Sequence, residues 1–311
     1  MKVPNPFPYS DSNKRYYTYD YYLRQTFGEK VARVTLDALF TCPNRDGTKG
    51  VGGCAFCSGR GSGDFCGCGN LREQFDAGVG MMSKKWGETP IIAYFQAFSG
   101  TYAPTERLRA LYEEALSFPN VVGLSIATRA DCINPENAAL LLELSEKTHL
   151  TVELGLQSIS DETAKKMNVC RSFDEFLRGY ELLSGVRRGI HIINGLPGEN
   201  DDDMMATARA VAALHPDFLK IHLLHVIRGT ALADMYERGE FETLEKARYC
   251  SLVASQLEII PQDVVIGRVT GDGAPDDLIA PEWSKKKLTV INDIDKEFVR
   301  RGTYQGIYAG E

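Results

Sequence analysis

VARVTLDALF TCPNRDGTKG VGGCAFC, residues 31–57, runs without a break from a β-branched, apolar stretch into a loop carrying three cysteines. Residues 31–40 read as a strand, because Val, Thr and Phe are enriched where a side chain must lie on a pleated, half-buried surface. Cys42 stands directly after it, and the cysteines follow a C-x11-C-x2-C spacing through Cys54 and Cys57. Gly47, Gly50, Gly52 and Gly53 lie between them, so the backbone is free to wrap closely around something. Thiolates are soft ligands that suit zinc or an iron–sulfur cluster. A structural zinc site is a closed tetrahedron of four ligands. Three cysteines in one loop leave a metal position open. Cys66 and Cys68 each offer a fourth ligand, so the zinc reading stays open at this point.

Outward from this loop, strand-like runs alternate with helical ones. The strands are residues 31–40, 91–98, 121–129, 151–158, 189–195 and 218–226. Helical patterns occupy residues 71–87, 104–117, 134–147, 160–183 and 200–214. Asn134-Pro135-Glu136 is a strong helix start, with proline at the first helical position, and Asp161 is placed to cap the next helix. This alternation predicts βαβ units and a parallel sheet. Six units suit a partial TIM-like (β/α)6 barrel, an α/β fold with N- and C-terminal extensions. The expected divisions are an N-terminal extension over 1–30, a core barrel over 31–226 and a C-terminal extension over 227–311. The last would hold helices near 231–239, 242–259 and 283–301 and a strand over 264–271. In barrels of this kind, chemistry sits at the C-terminal ends of the strands.

Composition sets outer bounds. The chain has 311 residues, 43% hydrophobic and 25% charged, which are ordinary globular values. A net charge of −7 argues against a nucleic-acid coat protein but leaves room for a local basic face. Lys285, Lys286, Lys287, Arg300 and Arg301 form the densest such clusters, and a solvated helix face explains them equally. The start, MKVPNPFPYSDSNKRYY, has no apolar signal region, and no run is long enough to span a membrane. A cytoplasmic, reducing setting follows, in which cysteines point to metal before disulfides. Five of the eight cysteines fall between Cys42 and Cys68, whereas Cys132, Cys170 and Cys250 are isolated and read as small core residues.

The loop resembles that of radical S-adenosylmethionine (SAM) enzymes, in the longer-gapped form of the elongator-catalytic-subunit-like branch. CPNRDG, GGCAFC, GSGDF, YFQAF, TYAP, IATR, ELGLQS, INGLPGE, KIHLLHV and RGTYQG together resemble a bacterial family of Fe–S oxidoreductases implicated in tRNA wobble-uridine modification, at the carboxymethylaminomethyl group. The resemblance implies a [4Fe–4S] cluster on Cys42, Cys54 and Cys57, with SAM chelating the fourth iron. It implies reductive cleavage of SAM to a 5′-deoxyadenosyl radical that takes a hydrogen atom from substrate. The implied partners are a tRNA substrate and an external one-electron donor such as flavodoxin or ferredoxin. Two other readings stay open: a radical SAM oxidoreductase acting on a small molecule such as a tetrapyrrole, and a zinc-stabilised, non-catalytic binding module. The oligomeric state is not legible.

The resemblance also nominates SAM contacts. Phe56 would lie near adenine, or pack the loop. Tyr94 and Gln96 close the second strand, where the methionyl amino group would sit. Arg129 ends the third, placed for a carboxylate or for an ion pair with Glu153. Glu153 and Gln157 share one face of the fourth strand, and the resemblance places them on the ribose. His191, Asn194 and Gly195 end the fifth strand beside adenine. His222 is the inward histidine of the sixth, on the face shared with Lys220. Two departures matter. Val169 stands where the family carries an arginine for the SAM carboxylate, which leaves Arg171, two residues later, as the substitute. The second is Cys66-Gly67-Cys68, where the family is usually without cysteine and a metal role is open; Ala130, where the family has proline, loses a stiffener but no chemistry.

Overall fold

The computed structural model describes residues 4–271, 273 and 276–310. In chain order the elements are α1 (Tyr19–Phe27), β1 (Ala32–Leu36), α2 (Leu71–Trp86), β2 (Ile91–Phe95), α3 (Thr105–Leu116), β3 (Val121–Thr128), α4 (Pro135–Ser145) and β4 (His149–Gln157). Next come α5 (Asp161–Lys166), α6 (Phe173–Leu182), β5 (Arg187–Asn194), α7 (Asp201–Leu214), β6 (Phe218–Leu223) and β7 (Val226–Ile227). The rest are α8 (Ala231–Glu237), α9 (Lys246–Ile259), β8 (Val265–Arg268), β9 (Leu278–Ala280) and α10 (Lys287–Arg301), with 3-10 turns at Ala130–Cys132 and Glu282–Lys285. The strand order β1-β2-β3-β4-β5-β6-β8 makes an α/β sheet that keeps sequence order, as the alternating pattern predicts. Among the described residues it has seven strands rather than six. The seventh, β8, pairs parallel to β6 and comes from the stretch expected to be C-terminal extension.

The chain divides into two compact units. The cysteine unit comprises Leu23–Leu156 and Asn168–Gly189, and the terminal unit comprises residues 1–22, 157–167 and 190–311.

In the cysteine unit, β1, β2, β3 and β4 pair in parallel register, with Leu36 opposite Phe95 and Thr128 opposite Leu154. All five residues of β2, IIAYF, are buried, the continuous apolar run expected of a parallel strand covered on both faces. Helix starts follow local chemistry. The Asn70 side chain accepts from Glu73 N while Glu73 accepts from Asn70 N, and Asn134 and Asn137 form the same reciprocal box ahead of Pro135. The helix predicted over 160–183 is two helices in the structure. The segment between them holds Asn168 and Cys170 at φ of +51° and +53°, which no helix continues through.

The terminal unit holds β6, β8, the antiparallel pair β7–β9 and helices α7 to α10. The cap of α5 is Ser160, accepting from Thr163 N, with Asp161 in the first turn rather than at the cap. The Tyr-rich start is tied down: Tyr17 N donates to Gln305 Oε1 at 2.8 Å, Arg15 donates to the Thr303 carbonyl at 3.2 Å, and Tyr16 is buried. Among the described residues no helix is long and apolar enough to cross a membrane.

Gly179 shows how tightly α6 seats. A Cβ there would stand 2.0 Å from the Ala130 carbonyl oxygen, a backbone atom that cannot rotate away. Gly179→Ala should therefore lower stability by about 1–3 kcal/mol despite alanine's better helix propensity. Denaturant unfolding reads this directly, and an unchanged or raised midpoint would show that α6 yields without cost.

Candidate metal and cofactor site

Several nominated residues fall at or just past the C-terminal end of a strand: the cysteine loop after β1, Gln96 after β2, Arg129 after β3, Gln157 ending β4, Asn194 ending β5 and His222 near the end of β6; Glu153 and His191 lie within β4 and β5, and Arg171 lies between α5 and α6. The loop itself is built by its backbone. The Cys42 carbonyl accepts from Arg45 N, the Pro43 carbonyl from Lys49 N and Gly50 N, and the Cys54 carbonyl from Cys57 N. Gly53 sits at φ +82°, and a Cβ there would meet Arg45 Nε at 2.8 Å. Arg45 is thereby free to donate to the carbonyls of Ser58 and Cys57, at 2.6 and 3.3 Å.

Cys54 and Cys57 both lie within electrostatic reach of Cys42. Burial pushes the Cys54 thiol up to about 11, the nearby Cys57 and Cys42 add to the rise, and Arg129 and Asn44 oppose it. Burial also raises Cys57, against the charge and hydrogen bond of Arg45, with Cys42 again adding to the rise. Thiols that buried become thiolates only beside a strong cation, so the donor set fits a thiophilic metal centre. Phe56, between them, is half-buried. Cys66 has other surroundings: burial and Asp37 push it up to about 11, with Thr35 and Arg60 opposing, and Cys68 is exposed. Among the described residues no three His, Cys, Asp or Glu side chains are arranged to hold a single metal ion. A four-iron cluster instead needs its cysteines spread around a cube of metal and sulfide.

Arg129 is engaged within the chain. Its Nε and Nη2 each donate to Asp131 at 2.9 Å, and its Nη1 donates to the Val169 carbonyl at 2.8 Å. The bidentate carboxylate expected of it is therefore the chain's own. Lys49, from the cysteine loop, pairs with Asp131 and with Glu175, both at 2.8 Å. The alternative partner, Glu153, is 1% exposed and pairs with Arg33 at 2.7 Å. It also accepts from Ser125 at 3.1 Å and from Tyr94 Oη at 3.2 Å. Glu153 and Tyr94 thus serve as interior partners of Arg33, which also stacks over the Tyr94 ring. This geometry does not add to their expected roles on SAM. Gln96 donates to the Ser62 carbonyl at 2.8 Å and anchors the far part of the loop.

Arg171 differs from Arg129. It is 7% exposed, and its Nη2 donates to the carbonyls of Gly155 and Leu156 at 3.0 and 3.1 Å. Its Nη1 is buried with no hydrogen-bond partner in the structure. Burial lowers its pKa to about 10, opposed by the charges of Asp131 and Cys54. A buried guanidinium with an unmet donor is a receptor for an anion. Two residues the sequence reading passed over complete the loop's support. Asn168 Nδ2 donates to the carbonyls of Gly53 and Val51 at 2.8 and 3.1 Å, and Asn44 is wholly buried among these groups.

In the terminal unit, Gln157 ends β4 at φ +72°. Asn194 exchanges reciprocal amide bonds of 2.7 and 2.9 Å with Gln256 of α9. Gly195, at φ +92°, donates its N–H to Met204 Sδ at 3.1 Å. His191 and His222 bring their rings to 5.2 Å, and Lys220 is buried in the same strand as His222. The basic cluster is partly neutralised. Arg300 and Arg301 pair with Glu297 at 2.6 and 2.8 Å, and Arg301 also with Glu258 at 3.0 Å.

Burial alone would raise the Asp131 carboxyl, but hydrogen bonds from Arg129 and Lys49 outweigh it and hold the pKa below the ordinary value. A folded pKa below the unfolded one means fewer protons bound when folded, so this stabilisation is complete above the ordinary aspartate range and is lost as pH falls through the folded value. Asp131→Asn should cost about 3–5 kcal/mol at neutral pH by leaving Arg129 uncompensated. The gap from wild type should close as the pH drops below about 4. Urea unfolding across pH tests it, and a gap that does not narrow in acid would rule out the ion pair as its source.

The pattern of the radical SAM superfamily matches residues 45–211, and that of the radical SAM C-terminal domain matches residues 216–300. YtqA of Bacillus subtilis is 49% identical over 310 residues, covering 98% of this chain and 96% of its own. YhcC of Escherichia coli is 31% identical over 284 residues, covering 90% and 91%. A tRNA uridine(34) acetyltransferase of Methanocaldococcus infernus is 31% identical over 156 residues, 49% of this chain and 29% of that one. In fold, the chain is similar to the archaeal Elp3 of Methanocaldococcus infernus, with a TM-score of 0.64 at 21% identity. That likeness covers 88% of this chain and 64% of the other, so this chain spans just under two thirds of the archaeal protein. The fold is thus the partial TIM-like barrel expected. Cofactor chemistry at a [4Fe–4S] cluster and SAM comes with the family, and on the extent of these matches the chain is an enzyme of the radical SAM superfamily.

Proposed function

We propose that Cys42, Cys54 and Cys57 hold three irons of the [4Fe–4S] cluster, and that Arg171 receives the carboxylate of SAM on the fourth. The observation that carries this reading is the buried, unpartnered Nη1 of Arg171, on a guanidinium that feels the charge of Cys54. When bound, the cluster and SAM supply one-electron cleavage to a 5′-deoxyadenosyl radical. The chain's part is to hold and orient. Arg129 and Asp131 fix the end of β3, Lys49 ties the cysteine loop to it, and Arg171 offers the anion contact. From the resemblance, Gln157 is proposed for the ribose of SAM and His191 and Gly195 for its adenine, with His222 proposed as a further SAM contact from the sixth strand. In this reading residues 31–226 form the catalytic core, 1–30 and 227–311 are extensions, and the electron comes from an external donor such as flavodoxin or ferredoxin.

For substrate, we propose the side chain of a wobble uridine in tRNA. Support comes from the tRNA uridine(34) acetyltransferase, whose likeness extends over 156 residues, 49% of this chain. The acetyl transfer in that protein's name is not carried over, because this chain matches 29% of it. We propose the run Lys285-Lys286-Lys287 as the patch that meets phosphate, with Lys285 also pairing with Glu282 at 3.7 Å.

Three measurements test this. Alanine at Cys42, Cys54 or Cys57 should each abolish most iron and sulfide after anaerobic reconstitution, and full iron in any one removes that cysteine from the set. Arg171→Ala should keep the cluster but weaken SAM about tenfold to hundredfold, the worth of a hydrogen bond to a charged group, with Arg171→Lys intermediate. Unchanged SAM affinity would sink the carboxylate assignment. Finally, tRNA from a deletion strain should show an altered wobble-uridine profile. Purified protein should bind tRNA with an affinity that falls steeply with salt. No tRNA binding at any ionic strength would favour a small-molecule substrate.

A further inference from the structure

Asn44 is 0% exposed, two residues after Cys42, in a loop otherwise rich in half-exposed positions. Its side-chain nitrogen makes two bonds. One goes to the backbone carbonyl of Asn168, and the other reaches Cys54 Sγ at 3.5 Å. The first bond fixes which way the amide points, because a carbonyl accepts only from a donor. The nitrogen therefore faces the sulfur, and Oδ1 turns away to a buried position with no hydrogen-bond partner. A Cβ at Gly50 would lie 2.3 Å from Oδ1, so glycine there is what lets the amide fit. Asn168 is locked in turn by its own bonds to the carbonyls of Gly53 and Val51.

We infer that Asn44 is a positioning residue for the cluster, which donates an N–H to the Cys54 sulfur and thereby raises the reduction potential. This rests on the reading above in which Cys54 is a cluster ligand. The physics is that of any charged acceptor. The electron delivered by the donor adds one negative charge to the cluster and its thiolates. A hydrogen bond to a thiolate sulfur strengthens as that charge grows, so the donor stabilises the reduced form more than the oxidised one. Burial makes the effect larger, since the surrounding medium screens the N–H dipole poorly. Asn44 and Asn168 thus hold Cys54 in place and make its cluster easier to reduce.

The test is the midpoint potential of the reconstituted holoprotein, followed by EPR, in Asn44→Ala and in the isosteric Asn44→Asp. Asn44→Ala should retain its iron and sulfide but be harder to reduce, with a reduction equilibrium about tenfold less favourable, or about 59 mV for one electron. Asn44→Asp, which sets an oxygen against the sulfur, should shift it further the same way. Wild-type potential in variants with full iron overturns the inference and leaves the three-cysteine reading standing. Full iron in Cys54→Ala overturns the three-cysteine reading and this inference with it. If both Asn44 variants fail to load, pulsed EPR of the reduced wild type with amide-15N asparagine decides. A 15N coupling to the cluster supports the bond, and its absence overturns it.

Discussion

Buried thiols that must act as thiolates are the constraint around which the cysteine unit is arranged. Removing negative charge from water is costly unless cations and donors stand close by. Burial, with the charges of Cys57 and Cys42, keeps the Cys54 thiol up at about 11 even against the donors beside it, which would leave it neutral and a poor ligand. What opposes that rise is a cationic surround. Arg129 acts on Cys54 and Arg45 acts on Cys57, while Asn44 supplies a neutral donor to the Cys54 sulfur. The metal then completes what these groups begin, since binding it deprotonates the thiols outright.

The arginines of this unit divide the work according to their partners. Arg129 is neutralised by Asp131, and Arg33 by Glu153, so each acts as a structural charge in the interior. Arg45 is bound to backbone carbonyls and shapes the loop. Arg171 alone of these four combines near-complete burial, backbone anchors on one nitrogen and an unmet donor on another. That arrangement suits ligand binding, because the anchors hold the guanidinium still while the unmet donor gains from an arriving anion. Lys49 adds a mechanical link: it reaches from the cysteine loop to Asp131 and Glu175, so the end of β3 and the start of α6 share one charge network with the loop.

Much of this was legible in order and spacing. The strand before Cys42, the C-x11-C-x2-C loop and the alternation of elements point to the partial barrel and to a soft-metal site, because both rest on local pattern. The seventh strand was legible as a strand but not as a member of the sheet, since pairing β8 with β6 is a non-local choice. The single helix read over 160–183 fails for a related reason. Its residues suit a helix, but the turn at 168–171 is imposed by bonds to the cysteine loop and to Arg129. Arg129 was placed correctly at a strand end and given a ligand's carboxylate as one partner, while Asp131, two residues away, reaches it through a 3-10 turn that no periodicity announces. Asn194 ends its strand as the sequence implies, but the exchange of amide bonds with Gln256 of α9 is a non-local pairing that spacing does not announce.

By itself the sequence determined the fold class, the soft-metal character of the loop and the strand ends at which chemistry belongs, because hydrophobic period and ligand spacing act over a few residues. Only the tertiary structure decided which polar groups remain available. Whether Glu153, Asn194 or Arg129 is satisfied depends on partners from other strands, turns and helices. Whether Asn44 is a solvated loop residue or a buried donor to sulfur depends on a carbonyl 124 residues away. Hydrogen-bond satisfaction is a property of three-dimensional neighbours, and so it passed unread until the chain was folded.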